Sequence, residues 1–93
     1  MKRFYIIGVA GVAMGNLAVL LKQKGYEVAG SDQEVYEPMN GLLQKEKIKI
    51  FTPYRAINIK KWKPDVVVVG NAISRGNPEL EFVMDNGHSY RSV

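Results

Sequence analysis

Strand-like apolar runs alternate with helix-period segments along the first third of the chain. Residues 4–7 form a β-branched and aromatic run that ends at Gly8, which is typical of a buried strand. Gly25 predicts the end of a helix that follows this strand, and residues 26–30 predict a second strand. The apolar positions of that helix recur at the i, i+3, i+4, i+7 spacing of one face: Met14, Leu17, Ala18 and Leu21.

The middle of the chain has a weaker pattern. Pro38 is placed like a first-turn proline and predicts a short helix, after which residues 48–51 predict a third strand. Residues 52–64 carry two prolines and no sustained period, so they predict a loop that has room for one helical turn. We expect Tyr54 and Trp62 to pack this loop onto the sheet.

The last third has the clearest strand, because residues 66–69 are four valines and such a run predicts burial on both faces. Asn77 followed by Pro78 predicts an N-cap and the first turn of a helix, with Glu79 near its positive end. Residues 88–93 predict the start of a fifth strand. The apolar face of the last helix comprises Leu80, Val83 and Met84.

This alternation of strands and helices predicts an α/β fold, a Rossmann-like doubly wound parallel sheet of about five strands in the order 3-2-1-4-5. Ligands of such sheets bind at the carboxyl ends of the strands, near the switch point between strands 1 and 4. Three loops reach that edge: residues 8–15, 31–32 and 71–77.

Length and composition limit the classes of protein to consider. The chain has 93 residues, of which 46% are hydrophobic, and this predicts one globular domain spanning residues 1–93. It has no cysteine and a single histidine, which excludes a disulfide scaffold, a thiolate metal site and a cysteine nucleophile. We expect no metal site and no catalytic residue in this chain.

The net charge of +4 is concentrated in residues 45–63, where lysine and arginine face Glu46 as the one acidic residue. Lys47 and Lys49 alternate with isoleucines, which is typical of a strand that turns its lysines to solvent at the edge of a sheet. The alternative is an anionic partner such as a nucleic acid. We expect the solvated edge, and no nucleic-acid partner.

An uncharged run over residues 4–21, preceded by Lys2 and Arg3, is long enough to suggest a signal peptide or a short membrane span. The run contains three glycines and Asn16, and it divides into a strand period and a helix period. We therefore expect a protein without a membrane partner.

The first loop has the chemistry of a phosphate site, since a strand that turns into a helix exposes amides at the positive helix end. A dinucleotide fingerprint needs glycine at its first, third and sixth positions, which here are Gly8, Ala10 and Ala13. Ala10 weakens the case for a nicotinamide or flavin cofactor. The alternative is that the glycines serve only close packing of helix against strand.

Polar side chains in the other two loops are candidate nucleotide contacts. Asp32 ends strand 2, where a ribose-binding carboxylate is expected, although Ser31 and Asp32 can also simply cap a turn. Arg75 offers a guanidinium for phosphate or carboxylate, and Asn71 an amide for a base or sugar. A surface ion pair and a turn residue are the alternatives for these two.

Three stretches, residues 8–18, 25–32 and 66–73, resemble the N-terminal domain of the Mur ligases, which join amino acids or peptides to UDP-N-acetylmuramate. Residues 35–39 and 70–78 resemble most the murein peptide ligases of that family, which add the recycled L-alanyl-γ-D-glutamyl-meso-diaminopimelate tripeptide. The L-alanine-adding ligases are the alternative within the family, and a nicotinamide- or nucleotide-binding regulatory module is the alternative outside it.

The resemblance implies that this domain holds the UDP part of the substrate in the cytoplasm. It also implies that ATP and magnesium bind in a central domain and the peptide in a C-terminal domain. We therefore expect the chain to be the N-terminal domain of a larger ligase, inactive alone and without a cofactor of its own. The residues implied to surround the UDP are Gly8, Val9, Ala10, Gly11, Val12, Ala13, Ser31, Asp32, Asn71, Ala72, Ile73 and Arg75.

Overall fold

A computed structural model describes residues 2–92 and has the predicted architecture. All five strands are parallel and lie in the order β3-β2-β1-β4-β5, which confirms the doubly wound Rossmann-like sheet. The elements in chain order are β1 (Arg3–Ile7), α1 (Val12–Gln23), β2 (Glu27–Ser31), α2 (Met39–Lys45), β3 (Lys49–Phe51), α3 (Ala56–Trp62), β4 (Val66–Val69), α4 (Pro78–Asp85) and β5 (Tyr90–Ser92).

The sheet separates two apolar clusters, because successive side chains of a strand point to opposite faces. Tyr5 and Ile7 of β1 pack with Ile59 of α3 and with Val83 of α4 on one face. Ile6 packs on the other face, in a cluster completed by apolar residues of α1 and α2. Both faces of the central strands are therefore buried, as the run of valines predicted.

The prediction for residues 52–64 was wrong in one respect, since Ala56–Trp62 form the helix α3. Ile59 is buried and Trp62 packs beside it against the core, so the helix has a narrow apolar face of two residues. That face is too short to reveal a period in the sequence. Pro53 and Pro64 lie outside the helix at its two ends, and the packing of Tyr54 and Trp62 onto the core is confirmed.

The other boundaries differ by a few residues. α1 begins at Val12, ahead of the first apolar position that predicted it, and Pro38 occupies the N-cap of α2 and not its first turn. β5 spans Tyr90–Ser92, and Val93, to which the prediction extended, lies outside the described residues.

The part of the basic segment that carries Lys47 and Lys49 lies at the sheet edge formed by β3, as predicted, whereas Lys60 and Lys61 belong to α3, which packs on one face of the sheet. Lys47 and Lys49 are exposed while Ile48 is buried, which is the expected division between solvent and core. Across residues 2–92, none of the helices combines the length and the apolar character that a membrane crossing requires.

Candidate functional site

The loop between β1 and α1 is held in place by its own hydrogen bonds. The amides of Gly8 and Val9 both donate to the carbonyl of Ser31, at 2.8 and 2.9 Å. The Ala10 amide donates to Oδ2 of Asp32 at 2.9 Å, and the Gly11 amide donates to the Gly8 carbonyl at 3.4 Å. The first four amides of the loop are therefore already satisfied by the protein.

The next three amides are different. Within the described part of the chain, no protein acceptor takes a hydrogen bond from the amides of Val12, Ala13 or Met14, and the first intrahelical bond runs from Gly15 to the Gly11 carbonyl at 2.7 Å. They are the orphan donors of the α1 N-terminus, where the helix dipole is positive. The first turn carries no acidic residue that would neutralise this end. The arrangement suits an anion that brings several acceptor oxygens.

Asp32 fixes the loop from the neighbouring strand end. Besides accepting from Ala10, its carboxylate accepts at Oδ1 from the Gln33 amide at 2.8 Å and from the Tyr54 hydroxyl at 3.0 Å. Burial raises the pKa of Tyr54, and the neighbouring Asp32 charge raises it further, so the phenol stays protonated and can donate. Asp32 therefore joins the ends of three loops.

A cleft of about 280 Å³ lies over the carboxyl ends of the strands and brings the three predicted loops together. Its floor is the start of α1, and its walls are the β2 and β4 ends. The residues lining it are Gly8, Gly11, Val12, Ala13, Met14, Asp32, Tyr54, Gly70, Asn71, Ala72 and Ile73. A larger cleft of about 380 Å³, beside β3 and α2, borders none of these loops.

Several of the predicted site residues do not present a side chain to the cleft. Val9 is buried in the core, and its place in the loop is structural. Ala10 faces a separate hollow between the loop and the Pro38 segment. Ser31 is fully buried, and its hydroxyl donates to Oε1 of Glu79 at 2.5 Å, so it supports the loop only through its carbonyl.

Arg75 is also placed away from the cleft. Its guanidinium pairs with the Glu81 carboxylate through two hydrogen bonds of 2.7 and 3.1 Å, and the side chain is 69% exposed. The pair holds the pKa of Glu81 at about 2, through the hydrogen bond from Arg75 and then that from the Gly76 amide. Arg75 would have to leave this pair to contact a ligand.

Glu79, which was predicted only as a charge near a helix end, is instead fully buried beneath the site. Its second oxygen, Oε2, accepts from the Arg55 amide at 2.9 Å and from Nδ2 of Asn58 at 2.8 Å. Burial and the Glu79 charge raise the pKa of the nearby Tyr5 hydroxyl. Glu79 therefore ties α4 and the start of α3 to the end of β2, which carries the Ser31 carbonyl under the loop.

The glycines of the region fall into two kinds. A Cβ at Gly30 would lie 2.8 Å from the carbonyl oxygen of Ile6, so this glycine permits close packing of the backbone. A Cβ at Gly15 would meet the flexible end of the Met39 side chain and, at 3.1 Å, the carbonyl oxygen of Val9. Gly11 has the unstrained angles φ −66° and ψ 149°, and a Cβ there would meet only the Gly8 carbonyl, at 3.7 Å. Packing does not explain the glycine at position 11.

Sequence reasoning missed Tyr54, Met14 and Gly70 as lining residues and Glu79 as a buried support. Tyr54 could have been found, because it follows β3 and the carboxyl ends of all parallel strands meet at one edge. No local signal marks Glu79, since its donors come from other parts of the chain.

A family model and curated proteins similar to this chain point to the same family. Residues 3–93 match the family described as "Mur ligase family, catalytic domain". The chain is 44% identical over 92 residues to UDP-N-acetylmuramate–L-alanyl-γ-D-glutamyl-meso-2,6-diaminoheptandioate ligase of Haemophilus influenzae, covering 99% of this chain and 20% of that protein. It is 40% identical over 91 residues to UDP-N-acetylmuramate–L-alanine ligase of Lactobacillus acidophilus, covering 98% of this chain and 21% of that protein.

A solved structure agrees with these relatives. The crystal structure of UDP-N-acetylmuramate:L-alanyl-γ-D-glutamyl-meso-diaminopimelate ligase from Neisseria meningitides superposes with a TM-score of 0.95 at 37% identity, over 99% of this chain and 28% of that one. The chain thus spans about a fifth of the length of the curated relatives it matches.

Proposed function

The chain belongs to the Mur ligase family, and from this we propose that it is the domain that holds the UDP end of UDP-N-acetylmuramate in a murein peptide ligase. The observation that carries the proposal is the row of free amides at Val12, Ala13 and Met14 beside a cleft at the sheet switch point. These amides have no acceptor among the described residues, and a pyrophosphate would supply both negative charge and acceptor oxygens. We propose that Asn71 and Ile73 contact the ligand on the β4 side of the cleft.

The choice of substrate within the family rests on similarity. Identity is 44% to the tripeptide-adding ligase of Haemophilus influenzae and 40% to the L-alanine-adding ligase of Lactobacillus acidophilus. The structural similarity has the same order, with TM-scores of 0.95 for the Neisseria tripeptide ligase and 0.89 for a Thermotoga maritima L-alanine ligase. We therefore propose the recycled murein tripeptide as the peptide that the full enzyme adds in the cytoplasm, with L-alanine as the second candidate.

A nicotinamide-binding module is less favoured by the geometry. The third fingerprint position, where close approach of the dinucleotide pyrophosphate needs glycine, is Ala10. Its amide also donates to Asp32, so it is not available to a dinucleotide pyrophosphate.

We propose that ATP and magnesium do not bind this part of the enzyme. The sequence has no Gly-x-x-x-x-Gly-Lys phosphate loop, and residues 2–92 contain no cluster of three acidic or histidine side chains suited to a metal ion. We propose that both bind in other domains of the full enzyme, which also receive the peptide, and that the 93-residue chain alone forms no amide bond.

Calorimetric titration of the 93-residue chain with UDP-N-acetylmuramate tests the proposal. We expect binding, with the largest amide chemical-shift changes at residues 11–14 and 71–73. Shifts confined to the basic segment 45–63, or to the cleft beside β3, would contradict the proposed site.

Gly11→Ala sharpens the test, because position 11 tolerates a methyl group in the free protein. The gain of about 0.4–1 kcal/mol from a less flexible unfolded chain is offset by alanine being a poor N-cap, so stability should stay nearly constant. A methyl group against the phosphate should displace at least one hydrogen bond to a charged group, so affinity should fall about tenfold or more. Gly15→Ala is the matched control, because Gly15 does not line the cleft and its methyl group would lie against the flexible end of the Met39 side chain, so the folded variant should keep the wild-type affinity. Wild-type affinity in Gly11→Ala would show that the loop is not the phosphate site.

A further inference from the structure

Tyr54 is a cleft residue to which neither the motifs nor the family resemblance gave a role. It lies just beyond β3, is half-buried, and lines the cleft together with Asp32. Its hydroxyl donates to Oδ1 of Asp32 at 3.0 Å. This hydrogen bond fixes the Tyr54 hydroxyl beside a carboxylate that borders the cleft.

The hydrogen bonds leave acceptor capacity on both side chains, which are bonded to each other at 3.0 Å and line the same cleft. An ionised carboxylate has about four acceptor positions. In Asp32 three are used, by the Gln33 amide and the Tyr54 hydroxyl at Oδ1 and by the Ala10 amide at Oδ2. One position remains on the carboxylate, at Oδ2, and the Tyr54 oxygen, which has donated its proton and lies near the Gln33 amide, keeps a lone pair for a further donor.

Only a ligand group with two adjacent donors satisfies such a pair. A phosphate brings acceptors and negative charge, which Asp32 would repel. The base-pairing edge of uracil has one N–H donor between two carbonyl acceptors. Those carbonyls would face the acceptors of Asp32 and Tyr54 and could not form hydrogen bonds with them. A vicinal diol donates from two neighbouring oxygens. In UDP-N-acetylmuramate the ribose has the free vicinal diol, because the neighbouring positions 2 and 3 of the muramic acid ring carry the acetamido and lactyl groups.

We propose that Tyr54 and Asp32 together bind the ribose diol of the ligand, and that Tyr54 is the residue that distinguishes a ribonucleotide from a deoxyribonucleotide. This rests on the proposed function, since a pyrophosphate at α1 brings the ribose into the same cleft. The raised pKa of Tyr54 supports the arrangement, because a phenol that stays neutral keeps donating to Asp32 and adds no charge beside the phosphates.

The test compares UDP with its 2′-deoxy and 3′-deoxy analogues by calorimetry on the 93-residue chain. We expect wild type to bind at least one analogue about tenfold more weakly than UDP, the loss typical of one hydrogen bond to a charged or strongly oriented acceptor. Tyr54→Phe keeps the ring and should weaken UDP by a similar factor, without weakening further the analogue that lacks its partner hydroxyl. Asp32→Asn, which replaces an acceptor by a donor, provides a second variant with the same expected loss of discrimination.

Tyr26→Phe is the matched control, because the Tyr26 ring packs on Phe4 at the start of β2, the end away from the cleft. It should leave all three affinities unchanged. Equal weakening of all three ligands in Tyr54→Phe would make Tyr54 a structural residue, and unchanged UDP affinity would give it no role; either overturns the inference. So would a wild type that binds UDP and both analogues equally. A folded wild type that binds no UDP would overturn the proposed function itself.

Discussion

Replacing Ser31 by alanine separates a structural role from a ligand-binding role at the end of β2. The Ser31 side chain is fully buried, and its hydroxyl donates to Oε1 of Glu79 at 2.5 Å. Glu79 is also fully buried, and its other oxygen accepts from Arg55 and Asn58. Alanine at position 31 removes the donor to Oε1 and leaves a buried charged oxygen without it.

The size of the effect follows from the charge on the acceptor. A hydrogen bond to a charged group contributes about 1.5–3 kcal/mol to stability. A buried group that loses its partner also keeps the full free-energy cost of its removal from water. We therefore expect Ser31→Ala to lower the free energy of unfolding by about 2–3 kcal/mol. In a domain of this size, that corresponds to a fall in unfolding temperature of roughly 10–20 °C.

Urea unfolding followed by the fluorescence of Trp62 measures this loss, since the chain contains a single tryptophan and it packs against the core. Ser89→Ala is the matched control, because Ser89 is exposed and should change stability by less than about 0.5 kcal/mol. The folded Ser31→Ala protein should bind UDP-N-acetylmuramate as wild type does, because the hydroxyl points away from the cleft. Wild-type stability, or a tenfold loss of affinity in the folded variant, would refute the reasoning.

Two further predictions concern the edges of the site. Glu81 has a folded-state pKa of about 2 against an ordinary 4.5, so its stabilising effect should be complete above pH 4.5 and lost as the pH falls through 2. A carboxyl-carbon NMR titration should show this, and the pKa should rise in Arg75→Ala; an unchanged pKa would mean that Arg75 is not its cause. Gly30→Ala should destabilise the fold by about 1–3 kcal/mol in thermal unfolding, because the new methyl would press on the Ile6 carbonyl. A wild-type unfolding temperature for that variant would contradict the close packing of β2.

Much of the fold was predictable, because a strand that is buried on both faces of a parallel sheet appears in the sequence as a continuous run of apolar residues. Residues 4–7 and 66–69 predicted the two central strands, and the strand order followed from the handedness of the crossovers. The helix α3 was not predictable in the same way. Its stability comes from Ile59 and Trp62 packing on the sheet, and two apolar residues do not define a period.

The site was predictable to the level of its loops but not of its side chains. Loop position follows from topology, so the cleft lies at the three expected loops. Side-chain direction depends on which partner each residue finds in the folded chain. The Ser31 hydroxyl donates to Glu79, which is distant in sequence, and the Arg75 guanidinium pairs with the nearby Glu81, although a ligand could also supply its acceptor. The sequence offers both partners to Arg75 and does not rank them.

The hydrogen-bonded loop at Gly8–Gly11 also has a kinetic consequence. Ordering a flexible backbone costs about 1–2 kcal/mol per residue, and a loop already fixed by Ser31 and Asp32 avoids that cost when the ligand arrives. Association should then be limited by diffusion and orientation, without a slow folding step. The observed rate should therefore rise linearly with ligand concentration, and weak binding, where it occurs, should show itself as rapid dissociation.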